Sequence, residues 1–317
     1  MVARRLAHPK DRTVSYALKD FGSYTVGGRL RHVTEGTPRE VQFTRSVSFT
    51  VDPRGYFAVE HAYVQYFVPQ DRCPGPPVVL VHGGGLSGSC WETTPDGRPG
   101  WLHLLLARGY EVHVVDNVER GRAGFAPGLW EGDPFLRSLD EAWTLFRIGP
   151  PSGFATRTPF PGQLFPVNQF EAFARCFVPR WLGTTSLQSA ALLAVLNRTG
   201  PAMVICHSQG AEVTFDARST APDLFEGIIA IEPSSLPGDA DHASKQPIVI
   251  CAGDFLDTNP DWQTRARGWE RFAQAAETVR FLGVSAFTPG NSHMMMMDAN
   301  NAEVLDNALE ALAAIRV

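Results

Sequence analysis

A serine flanked by small residues stands where an apolar run of the chain meets a helix-like segment. Residues 204–212 read V-I-C-H-S-Q-G-A-E, so Ser208 has Cys206 two positions before it and Gly210 two positions after it. A serine at a sharp strand-to-helix turn exposes its hydroxyl, and small neighbours let the strand and the helix pass closely. We therefore predict that Ser208 is a nucleophile, although Cys206 takes a place where glycine is the usual residue.

Two histidines, His242 and His293, follow Ser208 in the chain. A serine hydroxyl is a weak nucleophile at neutral pH and needs a base, usually an imidazole that a carboxylate orients. His242 lies in a polar loop with no strand to hold it. His293 lies in a Gly/Pro loop after the strand-like segment 278–287 and before the last helix. We predict that His293 is the base.

Two carboxylates compete for the role of orienting acid. Glu232 directly follows the apolar run 227–231, and Asp254 comes after the next run, 247–251. Parallel strands carry the residues that follow them to one edge of a sheet, so either carboxylate could reach the imidazole. Asp254 has the commoner position, whereas Glu232 ends an apolar strand, where a carboxylate is costly without a partner. The residues alone leave both acids open.

A glycine-rich segment, H-G-G-G at residues 82–85, follows the apolar run 77–82. Without side chains, its backbone N–H groups can approach a substrate closely. We predict that Gly84 or Gly85, together with Gln209 beside the serine, donates hydrogen bonds to an oxyanion formed during acyl transfer. No P-loop lysine accompanies the glycines, so we do not predict a nucleotide site.

The elements that must position these residues can be read from hydrophobic patterning. Five short apolar runs occupy residues 77–82, 111–116, 202–206, 227–231 and 247–251. Helical patterns occupy residues 100–108, 186–197, 212–218 and 302–317. Apolar strands alternating with helices predict an α/β fold with a mostly parallel central sheet flanked by helices. The period-two pattern of residues 14–68 predicts antiparallel strands before that sheet.

One segment, residues 125–185, does not follow this alternation. It holds 12 aromatic residues and 8 of the 24 prolines of the 317-residue chain. A connection of about sixty residues without a role would be unusual in a compact domain. We predict that it is a cap or lid insertion, with residues 1–124 and 186–317 forming the catalytic domain.

Composition and charge narrow the classes of partner. The formal net charge is -5 and no basic run is present, so nucleic acid is not an expected partner. No stretch reaches the roughly 18 apolar residues of a membrane span, and no signal-peptide core follows the first residues. Five cysteines without a C-x-x-C pair argue against disulfides and structural zinc. We predict a cytoplasmic protein with a small-molecule substrate, no metal and no cofactor, and leave open whether it is a homo-oligomer.

The order serine, acid, histidine and the H-G-G-G and C-H-S-Q-G motifs resemble the α/β-hydrolase superfamily over roughly residues 60–317. Further segments are similar to a small group of bacterial carboxylesterases: G-G-R at 27–29, V-Q-Y-F-V-P at 64–69, W-E-T-T-P-D-G-R at 91–98 and A-I-E-P at 230–233. In that group the acid is a glutamate after the strand that follows the nucleophile, which favours Glu232 over Asp254. The resemblance also implies adjacent cysteines where this chain has Gly84 and Gly85.

This resemblance implies a serine esterase that forms an acyl-enzyme intermediate on a small to medium apolar or aromatic ester. The same three residues could instead serve a lactonase, a thioesterase or a carbon–carbon hydrolase, and a non-catalytic ligand-binding member of the fold is a further alternative. We expect the insertion to cap the site. Met294 and Met295, in the run of four methionines beside His293, and Trp91 are predicted to line the substrate pocket.

Overall fold

The core of the molecule is a sheet of eight strands. The computed structural model describes residues 16–126, 128, 132–237 and 246–315. Its strands are β1 (Leu18–Val33), β2 (Arg39–Thr44), β3 (Val47–Val51), β4 (Gly55–Pro69), β5 (Val78–Val81), β6 (Val112–Asp116), β7 (Ala202–His207), β8 (Phe225–Ile231), β9 (Ile248–Cys251) and β10 (Val279–Leu282). The large sheet has the order β1-β4-β6-β5-β7-β8-β9-β10, and β2 pairs with β3 in a separate hairpin.

The direction of the strands divides the large sheet into two parts. All neighbouring pairs from β6 across to β10 are parallel. The strand β4 runs antiparallel to both β1 and β6. The predicted α/β class, with a mostly parallel sheet and antiparallel strands at its N-terminal side, is therefore confirmed.

The parallel strands are buried on both faces because helices cover both sides of the sheet. Along β5, Val78 and Leu80 belong to one apolar core, and Val79 and Val81 belong to the other. Successive strand residues point to opposite faces, so a strand covered on both sides needs a continuous apolar run. The pattern Val-Val-Leu-Val meets this need.

Seven helices of the described chain supply the layers on the two faces. They are α1 (Trp101–Ala107), α2 (Leu139–Leu145), α3 (Phe170–Ala174), α4 (Thr185–Thr199), α5 (Gln209–Thr220), α6 (Pro260–Ala275) and α7 (Asn301–Ala314). Side chains of α1, α2, α3 and α7 belong to the first core, and those of α4, α5 and α6 belong to the second. The segment 125–185, which contains α2 and α3, thus packs within the first core.

The helix α6 was not expected from the sequence, although its signals are present. The side chain of Asn259 caps its start, and Pro260 occupies the first turn, where a missing N–H costs nothing. Trp262 and Trp269 lie seven residues apart and are both buried in the second core. The strand expected over residues 278–287 is shorter than predicted, since β10 ends at Leu282. No helix in the described ranges has the length and apolar character of a membrane span.

Candidate active site

Ser208 lies at the junction between β7 and α5, in a strained backbone conformation. Its φ of 51° and ψ of -117° place a residue with a side chain in a region that favours glycine. Such a conformation costs about 1–3 kcal/mol and persists only where the surroundings hold it. Here the N–H of Ser208 donates to the carbonyl of Ile231 at 2.9 Å, and its own carbonyl accepts from the N–H of Ser234 at 3.1 Å.

The residues two positions away from Ser208 are small and buried. A Cβ at Gly210 would collide with the carbonyl oxygen of His82, so the close passage of helix and strand requires glycine there. Cys206 is fully buried, and its thiol donates to the carbonyl of Ile229 at 3.7 Å. Burial raises the pKa of Cys206 to about 12. The cysteine therefore acts as a small core residue that the turn accommodates.

The imidazole of His293 is buried and held on several sides. Its Nδ1 lies 2.5 Å from Oε2 of Glu232; since a carboxylate accepts, Nδ1 carries the hydrogen and Nε2 is left as the basic nitrogen. The ring stacks on Phe146 with a centroid distance of 5.4 Å and lies 5.0 Å from Trp262. The backbone N–H of His293 donates to the carbonyl of Phe146, and its carbonyl accepts from Nε2 of His207.

The protonation of His293 follows from burial and from nearby charges. Burial lowers its pKa most, and the positive charges of Arg147 and Arg265 lower it further, whereas the carboxylate of Glu232 raises it. The net direction is downward from the ordinary value, so the imidazole is neutral near pH 7. A neutral imidazole is the form that can accept a proton.

Glu232 is fully buried at the end of β8 and has a partner for each carboxylate oxygen. Besides the imidazole, Oε1 accepts from the N–H of Gly253 at 2.7 Å, and Arg147 donates to both oxygens, to Oε2 at 2.9 Å. Burial raises the pKa of Glu232, but the charge of Arg147 and the hydrogen bonds from His293 and Arg147 outweigh it, leaving a pKa of about 2. The carboxylate is therefore ionised throughout the neutral range.

Arg147 is the residue of this cluster that sequence reasoning missed. It comes from the segment 125–185, is fully buried, and also donates from Nε to the carbonyl of Asp254 at 2.7 Å. Its guanidinium lies over the ring of Trp262, 4.4 Å from the centroid. No local pattern marks this arginine, because its partner Glu232 is 85 residues away in the chain.

The side chain of Asp254, the alternative acid, binds backbone N–H groups of the neighbouring loops. Its carboxylate accepts from the N–H of Phe255 at 2.7 Å and from that of Gly290 at 3.1 Å. It therefore fastens the loop that leads to His293 without contacting the imidazole. Of the two acids that the residues left open, the structure brings Glu232 to Nδ1.

Ser208 and His293 line a single cavity of about 330 Å³. No hydrogen bond joins the two side chains within the described structure, although both face this space. Gly84 and Gln209 line the cavity as well, and Gln209 begins α5, where backbone N–H groups have no acceptor within the helix. Gly85 is absent from the lining, and its carbonyl accepts from the N–H of Val178 at 2.9 Å.

The structure of a protein described as a novel bacterial esterase matches this chain almost from end to end. The alignment has a TM-score of 0.85 and 29% identity, and it covers 98% of this chain and 100% of that one. The chain has the α/β-hydrolase fold. A curated fungal protein, named "Probable secreted lipase phiG" (Fungal sp., strain ATCC 74256), is 33% identical over 185 residues, or 56% of this chain. This chain spans about half the length of that relative, and no family model matches this chain.

Three residues predicted to line the substrate pocket lie in the core of the protein instead. Met294, Met295 and Trp91 have no exposed surface and belong to the first apolar core, among side chains of α1 and α7. The pocket prediction for them was wrong: a methionine beside the base suits a core as well as a pocket, and Trp91 packs against Trp101 of α1. The apolar part of the cavity lining comes instead from Leu145, Phe146 and Trp262.

His242, the alternative to His293 as the base, lies outside the residues that the structure describes. Within the part of the chain that the structure describes, no group of three His, Cys, Asp or Glu side chains is arranged to hold a metal ion.

Proposed function

We propose that this protein is a serine carboxylic-ester hydrolase that works through an acyl-enzyme intermediate. The observation that carries the proposal is the arrangement of three residues. Ser208, in its strained conformation, lines the same cavity as His293, and Nδ1 of His293 is bound to the buried, ionised carboxylate of Glu232. The likeness to a bacterial esterase over nearly the whole chain and to a fungal lipase over half of it supports ester hydrolysis.

The proposed reaction has two halves that share one base. His293 Nε2 takes the hydroxyl proton as Ser208 Oγ attacks the ester carbonyl, and the same nitrogen then gives the proton to the leaving alcohol. In the second half His293 Nε2 takes a proton from water as the water oxygen attacks the acyl carbonyl. It gives that proton to Ser208 Oγ when the acyl-serine bond breaks and the carboxylic acid leaves. Glu232 keeps the hydrogen on Nδ1 and stabilises the imidazolium formed in each half. The pair Ser208 and His293 must approach to hydrogen-bond distance during the reaction, as catalytic pairs often do only with substrate bound.

The oxyanion of the tetrahedral intermediate would be held by backbone N–H groups. Gly84 and Gln209 are the favoured donors because both line the cavity with Ser208. Gly85, the alternative, lies one residue further along the loop with a positive φ of 75°. A donor of this type contributes about 3 kcal/mol to lowering the barrier.

The cavity suggests an ester of small to medium size. Its volume of about 330 Å³ is at the low end for small-molecule sites, and Leu145, Phe146 and Trp262 offer an apolar and aromatic wall. Four lining residues, Arg137, Leu145, Phe146 and Arg180, come from the segment 125–185. This supports the proposal that the segment is a cap over the site.

Covalent labelling tests whether the serine is a nucleophile. A fluorophosphonate probe should label the wild-type protein at Ser208, and Ser208→Ala should abolish the labelling. An unlabelled wild type would contradict the proposal and favour a non-catalytic ligand-binding protein. A panel of p-nitrophenyl esters, thioesters and lactones then separates the chemistries: lactone turnover with inert aryl esters would replace the esterase proposal by a lactonase.

We propose that the protein is located in the cytoplasm. All five cysteines are free thiols, and three of them, Cys90, Cys206 and Cys251, are buried. Reduced thiols are typical of cytoplasmic proteins, whereas the fungal relative is named as secreted. Fractionation of the source cells decides between the two: recovery of the protein in the culture medium would contradict the proposal.

A further inference from the structure

The cavity around Ser208 carries an excess of positive charge that the proposed ester hydrolysis does not use. Among the lining residues that the structure describes, three are arginines, Arg137, Arg180 and Arg265, and one is a carboxylate, Glu212. Arg137 is already engaged in an ion pair with Glu141. Neither Arg180 nor Arg265 forms an ion pair with any residue in the described ranges.

Arg180 is placed at the loop that would hold the oxyanion. Its backbone is fixed by two hydrogen bonds with Phe135, at 2.8 and 3.0 Å. Its guanidinium lies against Gly84, where an added Cβ would collide with Nη1, so the glycine leaves room for the charge. The Nε of Arg180 is buried and has no hydrogen-bond partner in the part of the chain that the structure describes. Glu212 is near enough to favour the charge, but its carboxylate accepts from Thr185 instead.

A second buried guanidinium, that of Arg120, lies within electrostatic reach of Arg180, and the carboxylate of Glu119 favours its charge in part. Arg120 follows β6 and is 1% exposed, and none of its three guanidinium nitrogens has a hydrogen-bond partner among the described residues. Burial and the charge of Arg180 lower the pKa of Arg120 to about 9, so it remains protonated at neutral pH. Two neighbouring cations with so few partners are costly, and an anion bound in the cavity would offset that cost.

Arg265 brings a further free charge to the cavity from α6. Its guanidinium lies over the ring of Trp262, 4.9 Å from the centroid, and is exposed at the cavity. Its charge reaches the imidazole of His293, whose pKa it lowers. A guanidinium presents a planar pair of donors that matches the two oxygens of a carboxylate.

We propose that Arg180 and Arg265, with Arg120 behind them, form an anion subsite, and that the natural substrate is an ester that also carries a carboxylate group. This inference rests on the proposed ester hydrolysis and names its substrate class. The carboxylate would be bound by the arginines, while the ester carbonyl lies at Ser208. An apolar spacer between the two groups would pack against Phe146 and Trp262.

Matched pairs of esters test the charge preference. The first pair is 4-acetoxybenzoate and 4-acetoxybenzamide, with the charge on the alcohol side; the second is monomethyl adipate and methyl adipamate, with the charge on the acyl side. We expect the anionic member of at least one pair to be favoured at least tenfold in kcat/KM. The preference should fall as salt is raised, because ions screen the attraction.

Arginine variants assign the preference to the subsite. Arg180→Gln and Arg265→Gln should each lower the anionic-to-neutral ratio of kcat/KM by about tenfold or more, as expected for a lost charge-assisted hydrogen bond. The exposed Arg175, in the same segment as Arg180, and Arg271, on the same helix as Arg265, supply the control variants Arg175→Gln and Arg271→Gln, which should keep the ratio. Arg265 is exposed, so its variant remains informative if Arg180→Gln fails to fold.

The outcomes separate this inference from the proposed function. If Ser208 is labelled but both members of each pair are hydrolysed equally well, the anion subsite is refuted and the esterase stands. If Ser208 is not labelled, the esterase fails, and binding of 4-hydroxybenzoate and adipate is measured by ligand-observed NMR. Binding that is lost in Arg180→Gln and Arg265→Gln would then support the subsite, and no binding to the wild type would refute it.

Discussion

Replacing Arg147 by methionine removes the charged partner of Glu232 and leaves an ionised carboxylate in the core. Both side chains are fully buried, and Arg147 donates to both carboxylate oxygens. A pKa of about 2, against an ordinary value of 4.5, corresponds to about 3 kcal/mol of stabilisation of the ionised form. Removal of one partner of a buried pair typically costs about 3–5 kcal/mol. We expect Arg147→Met to lose about 3 kcal/mol of unfolding free energy at pH 7.

The pH dependence of this loss follows from the direction of the shift. Because folding lowers the pKa of Glu232, its contribution is fully present above about pH 4.5 and disappears as the pH falls toward 2. Urea unfolding followed by tryptophan fluorescence should therefore show the largest difference in unfolding free energy between wild type and Arg147→Met at neutral pH. This difference should become smaller in acid.

Activity gives a second readout that a purely structural role would not change. The charge of Arg147 lowers the pKa of His293, so its removal should raise that pKa. The acid limb of the kcat/KM profile, which reports the base of the free enzyme, should then move to higher pH. Arg147→Lys keeps the charge and should restore the limb toward its wild-type position.

Arg157 supplies a matched control in the same segment. It also has a φ of 55°, as Arg147 does, but its ion pair with Glu171 is partly exposed. Arg157→Met should cost less than about 1 kcal/mol and leave the acid limb in place. If Arg147→Met behaves like Arg157→Met in both stability and pH profile, the inference that Arg147 stabilises the ionised Glu232 and lowers the pKa of His293 is refuted.

Two further variants test the acid and the methionine run. Glu232→Gln should lower kcat on a p-nitrophenyl ester by roughly three to four orders of magnitude, as loss of the orienting carboxylate does in serine hydrolases, whereas Asp254→Asn should remain within about tenfold. The reverse order would make Asp254 the acid. Met295→Ala should lower the unfolding free energy by about 2–5 kcal/mol, because it opens a cavity in a closed core, with little change in kcat/KM under native conditions. A large loss of kcat/KM without a loss of stability would instead indicate that Met295 lines the substrate pocket.

Much of the fold could be predicted because its signals are local. The five apolar runs became parallel strands at nearly the predicted positions, since a strand covered on both faces leaves a continuous apolar run in the sequence. The turn at Ser208 was equally visible, because small residues two positions away on each side are needed where a strand turns into a helix. The helix α6 was missed, although its capping residue Asn259 and its two buried tryptophans are local signals that could have predicted it.

The sequence by itself thus determined the α/β class, the serine turn and the histidine of the last loop. Each depends on neighbouring residues or on chain order. Only the tertiary structure decided which acid meets His293, that Arg147 pairs with that acid, and that Met294 and Met295 belong to the core. These are contacts between side chains far apart in the chain, and burial and pairing depend on how the elements pack rather than on local periodicity. For the same reason the sequence did not predict a role for Arg120, Arg180 and Arg265. They are far apart in the chain and come near one another only in the folded protein.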